Sequence, residues 1–578
     1  MKSIVCACVI ALAGVLAGAD VLDLNGSWDF RFEEGKSIEE SSGVAFAATD
    51  VMPVPGCYDT MPKWFLRRGT GLYRRTFTLD RAVDNAWLVV DGMGLRGQFK
   101  IDGRDLGTHP YPYARLELET GPLAAGVHTL YAALDNRFDW STMKLALPYY
   151  DFYFYGGFYH GVKLAFDNRK LFVRTRDYKT GMVEVEAVNF KAADFAATLV
   201  FDEKQNVPVA FKGGRAAVRV PGFKLWSPAA PNLHTVSVKT ADSEKTVRAR
   251  FGIRTVEAKN RKIYLNGEEI FLKGANRHES HIEFGAATSE IQMARDIQLM
   301  KDLGGNFFRG AHYQQSQRFL DLCDENGILV WEESLGWGNG QSYTDKKNVE
   351  LTDPGFIAAQ LHETKEMVRA SFNHPCVIIF AFMNECGSTK KSCKALADQL
   401  IQTIKEQDSG RLVTFACNTW KGDLCHENTD IVAFNTYPGT IPMMPGLPED
   451  LAEKVREMPG GGVNVITRYF REKYPDKPIF VSESGVGALY GYHDPMACVA
   501  SEEFQNEYIT DLLETIWANP DLVGYAIWQF ADNRTYHRNS RHQSGKLFGI
   551  SIAGLFNHQR QPKKVVETVK KYFRLKGK

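Results

Sequence analysis

Residues 373–387 read Asn-His-Pro-Cys-Val-Ile-Ile-Phe-Ala-Phe-Met-Asn-Glu-Cys-Gly and decide how the second half of the chain is interpreted. The apolar run 377–383 predicts a strand covered on both faces, as in a parallel sheet. Asn384 and Glu385 follow directly, and a carboxylate at the carboxyl end of such a strand lies where α/β barrels place their chemistry. A surface glutamate after a core strand is the plain alternative, so this stretch alone does not decide the function.

A second stretch has the same form. Residues 478–485 read Pro-Ile-Phe-Val-Ser-Glu-Ser-Gly, a short apolar strand that ends in Glu483 and a glycine. Two carboxylates on separate strand ends, within a repeating strand–helix region, form the pair that glycoside hydrolysis requires. We therefore take Glu385 and Glu483 as the candidate catalytic pair.

The region around this pair alternates strands and helices to the end of the chain. The predicted strands are 269–274, 306–309, 328–332, 377–383, 412–415, 431–434, 479–481 and 523–528, and the predicted helices include 290–303, 354–372, 392–407 and 502–518. Eight such units in roughly 325 residues predict a TIM barrel with insertions. Residues 417–429 show little helix, and 438–462, rich in Pro, Gly and Met, predict a long loop.

The first half of the chain predicts two β-domains. Short alternating runs separated by Gly, Pro and Asp turns over 20–165 predict a jelly roll, and 166–253 continue in this style at the size of an immunoglobulin-like sandwich. The expected architecture is therefore multidomain: a sugar-binding β-sandwich jelly roll, an immunoglobulin-like β-sandwich and a C-terminal (β/α)8 TIM barrel over 254–578.

Composition and charge exclude several classes of function. Lys+Arg and Asp+Glu each number 69, so the formal net charge is zero and no nucleic-acid partner is expected. No stretch after the N-terminus approaches the ~18 apolar residues of a membrane span. The sequence leaves the oligomeric state open, a homo-oligomer included.

The first 19 residues have the form of a signal peptide. Lys2 precedes an apolar region, 4–16, and small residues at 17–19 offer a cleavage site after Ala19. We therefore expect an exported protein, periplasmic or secreted.

Cysteine and histidine spacing predicts no metal. Cleavage removes Cys6 and Cys8 and leaves eight of the 10 cysteines, without a CxxC motif. An exported protein could oxidise some of them, but we expect mostly buried, reduced thiols. His278-Glu-Ser-His281 lacks the HExxH spacing of a zinc site. We therefore expect no catalytic metal and no cofactor.

Several motifs, taken together and in order, carry a family resemblance. They are Leu24-Asn-Gly-Ser-Trp, Asp151-Phe-Tyr-Phe-Tyr-Gly-Gly, Lys273-Gly-Ala-Asn-Arg-His-Glu279, Arg309-Gly-Ala-His-Tyr313, Asn384-Glu385, Asn435-Thr-Tyr437, Ile527-Trp-Gln-Phe-Ala-Asp532 and Arg560-Gln-Pro-Lys563. Over nearly the whole mature chain, the sequence resembles glycoside hydrolase family 2, which contains β-galactosidases, β-glucuronidases and β-mannosidases. The resemblance implies the domain order given above and an exo-acting retaining β-glycosidase whose partner is the terminal sugar of a glycan or glycoside.

The resemblance also implies roles for the candidate residues. Glu385 would be the general acid/base and Glu483 the nucleophile of a double displacement. Asn384 would bind the sugar 2-hydroxyl, and Tyr437 would orient the nucleophile unless it is a packing aromatic. The Asp151 loop would reach over the barrel mouth and close one end of the pocket. Further candidates for the sugar pocket are His278, Glu279, His312, Asn435 and Trp528.

The identity of the sugar depends on the residues before Gly554. The chain resembles the β-glucuronidase branch most, and that branch carries an Arg and an Asn-x-Lys here that hold the glucuronate carboxylate. Leu547 and the Ser-Ile-Ala of 551–553 occupy those positions, and a buried carboxylate without a cation is unfavourable. We therefore expect a neutral sugar, with β-galactoside first. The alternatives are a β-glucuronidase or β-galacturonidase that uses Lys546 or Arg541, and a non-catalytic carbohydrate-binding protein.

Overall fold

The N-terminal part of the chain is a sandwich of two antiparallel sheets. The computed structural model describes residues 21–42, 46–146, 152–240, 243–341, 350–438, 459–536 and 549–575. The strands of this part are β1 (Val21–Asp23), β2 (Gly26–Glu34), β3 (Asp50–Val54), β4 (Gly56–Cys57), β5 (Gly69–Leu79), β6 (Val83–Val90), β7 (Arg96–Ile101), β8 (Arg104–His109), β9 (Leu116–Leu123), β10 (Gly126–Asp135), β11 (Gly157–Phe158) and β12 (Val162–Ala165), with one short helix, α1 (Ile38–Ser42).

These strands form a four-stranded sheet, β1-β12-β6-β9, and a six-stranded sheet, β3-β2-β5-β10-β7-β8. Every second residue of β7 is buried, which is the period of a strand with one face on a core. Trp28 and Tyr73 of the larger sheet share a buried cluster with Leu88 and Leu164 of the smaller one. The alternation that predicted a sandwich therefore reflects burial between the two sheets.

The next part is a smaller sandwich. Its strands are β13 (Lys170–Asp177), β14 (Met182–Val188), β15 (Phe195–Phe201), β16 (Gln205–Phe211), β17 (Arg215–Arg219), β18 (Trp226–Ser227), β19 (Ala230–Pro231), β20 (His234–Thr240) and β21 (Ser243–Phe251). The sheets β13-β14-β17 and β16-β15-β20-β21 enclose a core that includes Val183 and Phe201. The Trp226 indole donates to the Asp324 carbonyl at 2.9 Å and joins this sandwich to the barrel.

The C-terminal part is a closed parallel barrel of eight strands in chain order. After a meander of β22 (Val256–Lys259), β23 (Lys262–Leu265) and β24 (Glu268–Ile270), the barrel strands are β25 (Leu272–Arg277), β26 (Phe307–Gly310), β27 (Leu329–Trp337), β28 (Val377–Asn384), β29 (Leu412–Cys417), β30 (Val432–Asn435), β31 (Ile479–Ser484) and β32 (Leu522–Ile527). Each predicted strand overlaps one of them. The predicted fold class, two β-sandwiches and a TIM barrel, is confirmed.

Helices cover the outside of the barrel, and a short strand pair, β33 (Asn533–Arg534) and β34 (Ile550–Ser551), follows β32. The helices are α2 (Glu290–Leu303), α3 (Gln317–Asn326), α4 (Pro354–Ala370), α5 (Lys391–Gln407), α6 (Pro459–Lys473), α7 (Glu502–Ala518) and α8 (Val565–Phe573). Ser289, Asp353 and Ser501 cap α2, α4 and α7 by accepting a backbone N–H of the first turn. All eight residues of β28 are buried, because its faces lie against the barrel interior and the helical layer.

Two details of the barrel concern the sequence predictions. The fifth unit has a 3₁₀ turn, Cys425–Asn428, in place of a helix, as the weak helical signal of 417–429 indicated. The predicted loop 438–462 is wrong at its end, because α6 begins at Pro459 and includes three glycines. A Cβ on Gly460 would overlap the Thr515 hydroxyl of α7, so glycine allows the two helices to pack closely here. Residues 439–458 lie outside the described part.

Segments of the first sandwich reach the barrel directly. The Tyr113 and Tyr313 rings stack with centroids 3.6 Å apart, and the hydroxyls of Tyr155 and Ser280 are 3.0 Å apart. Among the helices that the structure describes, none is long and apolar enough to cross a membrane. The predicted signal segment, 1–19, lies outside the described residues.

Candidate active site

The candidate site lies at the carboxyl ends of the barrel strands. Asn384 ends β28, Asn435 ends β30, Glu483 is the next-to-last residue of β31 and Arg309 the next-to-last of β26. Glu385 follows β28 directly. Closure of the barrel brings together side chains that are up to 174 residues apart in the chain. This is the face on which TIM barrels carry their active sites.

The Glu483 carboxylate is buried and held at both oxygens. Arg309 Nη1 donates to Oε1 at 2.5 Å, and the Tyr437 hydroxyl donates to Oε2 at 2.6 Å. His312 Nε2 is 3.8 Å from Oε1, and Glu483 is 3% exposed. Charge-assisted hydrogen bonds of this kind fix the orientation of a carboxylate. The arrangement suits a group that must be ionised in order to attack.

Arg309 is the centre of the network. Besides Glu483, its guanidinium donates to Asn276 Oδ1 at 3.0 Å and to Asn384 Oδ1 at 2.8 Å. Its Nε and Nη2 also donate to Glu333 Oε2 at 3.1 and 2.9 Å. A planar fork of five donors can hold several acceptors in one plane, which an ammonium group cannot do. Burial raises the pKa of Glu333 to about 7, against the opposing charge of Arg309.

Glu385 is held differently. Its backbone φ is +50° and that of Met383 is +48°, a left-handed conformation that non-glycine residues adopt when the surrounding structure imposes it. Its N–H donates to the Ala416 carbonyl at 2.8 Å, and its Oε1 accepts from Asn435 Nδ2 at 3.0 Å. The side chain is partly exposed, and this contact comes from a neutral amide.

Asn384 offers a donor to a ligand. Its Oδ1 accepts from Arg309 and, at 3.1 Å, from Asn435 Nδ2. Its Nδ2 is buried and has no hydrogen-bond partner within the described part of the chain. Buried polar atoms are nearly always paired, so this amide is positioned to donate to a bound acceptor.

Aromatic and imidazole rings form a wall beside Glu483. His312 stacks on Trp528 with centroids 5.3 Å apart, and His278 meets the edge of the same indole at 5.4 Å. Burial lowers the pKa of His312 to about 3, and burial together with the nearby charges of Arg309 and Arg277 lowers the pKa of His278 well below its usual value. Both rings are therefore neutral near pH 7. Their Nε2 atoms have no hydrogen-bond partner among the described residues.

One predicted residue, Glu279, does not join this network in the structure. The Glu279 carboxylate is fully buried, accepts from the Ser316 N–H at 2.8 Å and lies 3.0 Å from His160 Nε2. Asp151 lies outside the described residues. Its neighbour Phe152 packs on His278 and His312 with centroids 5.4 and 5.9 Å apart, so this segment of the first sandwich reaches the barrel mouth.

Two buried sets of ligand-type side chains occur among the described residues, Asp324–His374–Cys376 and Cys417–Asp423–His426. In the second, His426 Nδ1 is 2.9 Å from Asp423, and its Nε2 accepts from the Ala433 N–H at 3.1 Å. In the first, His374 Nδ1 is 2.6 Å from Asp324, whose other oxygen accepts from the Cys376 N–H at 2.9 Å. These donors and acceptors are engaged with one another, so neither set indicates a metal centre.

The family described as "Glycosyl hydrolases family 2, TIM barrel domain" matches residues 256–576. The chain belongs to glycosyl hydrolase family 2. It is similar to a β-glucuronidase of Streptococcus agalactiae, at 25% identity over 95% of each chain, and to one of Felis catus, at 26% identity over 94% of this chain and 88% of that one. A GH2 β-galacturonidase from Eisenbergiella tayi bound to glycerol has a similar structure, with 27% identity, 96% of each chain covered and a TM-score of 0.83.

This family 2 protein is an O-glycosyl hydrolase, a β-glycosidase acting on carbohydrate. The residues before Gly554 that bear on its sugar are partly described. Ser551 Oγ accepts from Gln529 Nε2 at 3.1 Å, and Ala553 packs with Ala311 and Trp528. The Lys563 ammonium donates at 2.8 Å to Asp532 and to the Ala488 and Ile552 carbonyls. Arg541, Lys546 and Leu547 lie outside the described residues.

Reasoning from the family 2 motifs missed three residues of the network: Asn276, Arg309 and Glu333. Asn276 and Arg309 lie within quoted motifs, but nothing local distinguishes them from structural residues. Glu333 lies inside β27, one position beyond the predicted strand 328–332. A charged residue at the end of an apolar barrel strand was the available signal, the same one that identified Glu385 and Glu483.

Proposed function

We propose that the enzyme is an exo-acting, retaining β-glycosidase that removes terminal β-linked hexuronic acids, glucuronic or galacturonic. The contact that supports the mechanism best is the double restraint of Glu483 by Arg309 and Tyr437. The comparisons support the sugar, because the relatives given above are named β-glucuronidase and β-galacturonidase. They favour the uronide alternative over the β-galactoside that the sequence placed first.

In the first half-reaction Glu483 attacks the anomeric carbon. A bond forms between one Glu483 oxygen and C1, the bond from C1 to the leaving oxygen breaks, and Glu385 gives its proton to that oxygen. Arg309 and Tyr437 hold the carboxylate for in-line attack. Asn384 Nδ2 donates to the sugar 2-hydroxyl, a contact that strengthens as C1 gains oxocarbenium character.

In the second half-reaction a water replaces the leaving group. Glu385, now ionised, takes a proton from the water. The water oxygen attacks C1, and the bond between C1 and Glu483 breaks. Two inversions at C1 retain the β-configuration. Exo action follows from the pocket: Phe152 packs against the wall residues His278 and His312, and the adjacent Asp151 would bind outer hydroxyls of the terminal sugar.

A uronide needs a cation for its carboxylate, and 551–553 provides none. Among the described residues of this region, Lys563 is engaged with Asp532 and two carbonyls. The segment 537–548 carries Arg541 and Lys546, which are the candidates for this contact. Losing one charge-assisted hydrogen bond of about 1.5–3 kcal/mol corresponds to roughly 10- to 150-fold in rate.

A panel of aryl β-glycosides that share one leaving group tests the proposal. Galacto, glucurono and galacturono configurations are compared by kcat/KM, with the uronide methyl esters as neutral controls. We expect one uronide to exceed the galactoside by at least about 10-fold and its own methyl ester by a similar factor. If the galactoside is cleaved faster than both uronides, the proposal is contradicted. Ser551 and Ala553 would then indicate a pocket for a neutral sugar.

Arg541→Met and Lys546→Met then locate the cation. The residue that binds the carboxylate loses about 10- to 150-fold on the acid and little on the methyl ester. The other variant is the matched control. If both variants leave the ratio of acid to ester unchanged, neither residue binds the carboxylate.

A further inference from the structure

Four buried cysteines surround the turn that follows Glu385. Cys386 is the next residue, Cys393 lies in the first turn of α5, Cys417 ends β29, and Cys425 begins the 3₁₀ turn Cys425–Asn428. All four are fully buried. The Sγ atoms of Cys393 and Cys386 are 3.4 Å apart, and those of Cys425 and Cys393 are 3.8 Å apart.

The contacts separate one thiol from the other three. Cys417 Sγ lies 3.4 Å from Ser388 Oγ and 3.8 Å from Asp423 Oδ1. Cys425, Cys393 and Cys386 instead form a line in which each sulfur donates to the next. Cys393 is the middle member and can pair with either neighbour.

We propose that Cys386 and Cys393 form a disulfide that acts as a covalent modification site beside Glu385. A disulfide requires an S–S distance of about 2.05 Å, so the 3.4 Å contact must shorten by about 1.3 Å. Bond formation therefore requires rotation about the side-chain bonds and a small shift of the turn.

The oxidant belongs to the class of small disulfides, such as oxidised glutathione. One thiolate of the pair attacks the oxidant, forms a mixed disulfide and releases one thiolate of the oxidant. The second thiolate attacks the protein sulfur of that mixed disulfide and releases the other. Two protein thiols are oxidised, one small disulfide is reduced to two thiols, and their two protons pass to solvent and then to the released thiolates.

The environment decides when this reaction occurs. The hydrogen bond from Cys393 lowers the pKa of Cys386 while burial raises it, which leaves a pKa of about 11. Buried thiols of this kind exchange slowly in the folded protein. Residues 1–19 predict export, and exported chains fold where disulfides persist, so the bond would form while the turn is still open.

The disulfide would change Glu385 through the backbone. Cys386 directly follows Glu385 in the chain. The turn that leads from these two residues to α5 is held by a hydrogen bond from the Gly387 N–H to the Asn339 carbonyl, at 2.7 Å. Misplacing a catalytic group by about 1 Å can cost on the order of 10²-fold in rate. This consequence rests on the proposed acid/base role of Glu385, whereas the disulfide itself does not.

Peptide mapping tests the disulfide independently of activity. The full chain is refolded with reduced glutathione alone or with a mixture of oxidised and reduced glutathione, blocked with an alkylating agent and digested with trypsin. Lys390 and Lys391 separate the two cysteines, and the peptide 370–390 holds Cys376 as well as Cys386, so fragment ions of the linked pair of peptides identify the bonded cysteine. We expect a Cys386–Cys393 link in the oxidised sample and two fewer alkylated thiols.

The variants identify the partners. Cys393→Ala abolishes every link in this cluster, Cys386→Ala shifts the link to Cys393–Cys425, and Cys417→Ala leaves the Cys386–Cys393 link unchanged as the matched control. Fully alkylated cysteines after oxidative refolding overturn the inference. A link between Cys393 and Cys425 in the unaltered chain overturns the assignment of Cys386.

Leaving-group dependence tests the effect on Glu385. We expect the oxidised enzyme to lose at least about 10-fold more activity on an alkyl glycoside than on a nitrophenyl glycoside, and a reductant to restore it. Equal losses on both substrates, or no loss, overturn the link to Glu385. If Glu385→Ala itself shows no such dependence, the proposed function fails while the mapping result still stands.

Discussion

The two carboxylates of the proposed catalytic pair are held in opposite ways. Glu483 is 3% exposed and bonded to a guanidinium and a phenol, whereas Glu385 is partly exposed, stands on a left-handed residue and accepts from the Asn435 amide. A nucleophile must be ionised and aimed. An acid/base must gain and lose a proton within each turnover. Both residues lie at strand ends of the barrel, so the contacts around each carboxylate, rather than its position on the barrel, support the two proposed roles.

Removal of the nucleophile should have the largest effect. Glu483→Ala should lower kcat/KM by at least about 10⁴-fold for every leaving group, because in the proposed mechanism Glu483 forms the bond to C1. Steady-state kinetics with nitrophenyl and alkyl glycosides measures this. A loss that depends on the leaving group would assign Glu483 to proton transfer and reverse the comparison.

Removal of the acid/base should have a smaller and conditional effect. Glu385→Ala should lose about 10²- to 10⁴-fold on alkyl glycosides and much less on activated aryl glycosides, whose departure needs no proton. Azide should partly restore turnover and give a β-glycosyl azide, detected by NMR. An α-azide, or no azide product, would argue against a retaining mechanism with these roles.

Removal of the hydrogen bond from Tyr437 to Glu483 should lower kcat/KM less than removal of either carboxylate. Tyr437→Phe removes a hydrogen bond to Glu483 worth about 1.5–3 kcal/mol, so kcat/KM should fall roughly 10- to 150-fold for all leaving groups alike. Tyr469→Phe is the control, because its hydroxyl accepts from the Gly422 N–H away from the carboxylates. Unchanged activity in Tyr437→Phe would mean that Arg309 alone orients Glu483.

A third carboxyl, that of Glu363, shows how burial changes a pKa when no arginine charge opposes it. Burial raises the pKa of Glu363, on α4, from 4.5 to about 8, while hydrogen bonds from the Leu335 N–H and Gln314 oppose the shift. The folded protein then keeps a proton that the unfolded chain releases above pH 4.5. The contribution of Glu363 to the free energy of unfolding should therefore fall between about pH 4.5 and 8, by up to about 1.4 kcal/mol per pH unit, and be level above that range.

Glu363→Gln should remove this pH dependence and have the smallest effect on activity. The variant should melt a few degrees above the unaltered protein at pH 9 and at the same temperature at pH 4, measured by calorimetry. Glu366→Gln, at a half-buried position of the same helix, is the control. Equal melting temperatures for Glu363→Gln and the unaltered protein at pH 9 would show that Glu363 is not protonated in the fold.

Much of the fold could be predicted because its signals are local. The apolar run 377–383 matches β28, and the periodic stretches 290–303 and 502–518 match α2 and α7 residue for residue. The end of the loop 438–462 could not be predicted, because the close contact of Gly460 with α7 decides that glycines continue into a helix. Glycine has a low intrinsic helix propensity, which predicts a loop at this position.

The candidate site could likewise be predicted only in part. Sequence placed Glu385 and Glu483 at strand ends and Tyr437 beside Glu483, a position in which the structure finds a 2.6 Å hydrogen bond. It grouped Glu279 with the pocket, but the structure has that carboxylate turned to Ser316 and His160. The direction of a side chain after a strand depends on neighbours that local periodicity does not encode.

The sequence by itself determined the eight barrel strands, the two preceding sandwiches and the two acids at strand ends, since each follows from a local pattern. Tertiary structure alone decided that Arg309 joins Glu333, Asn384 and Glu483, and that Cys393 contacts both Cys386 and Cys425. Those contacts join separate strands and loops. They exist because the parallel barrel closes on itself and brings the carboxyl ends of its strands to one face.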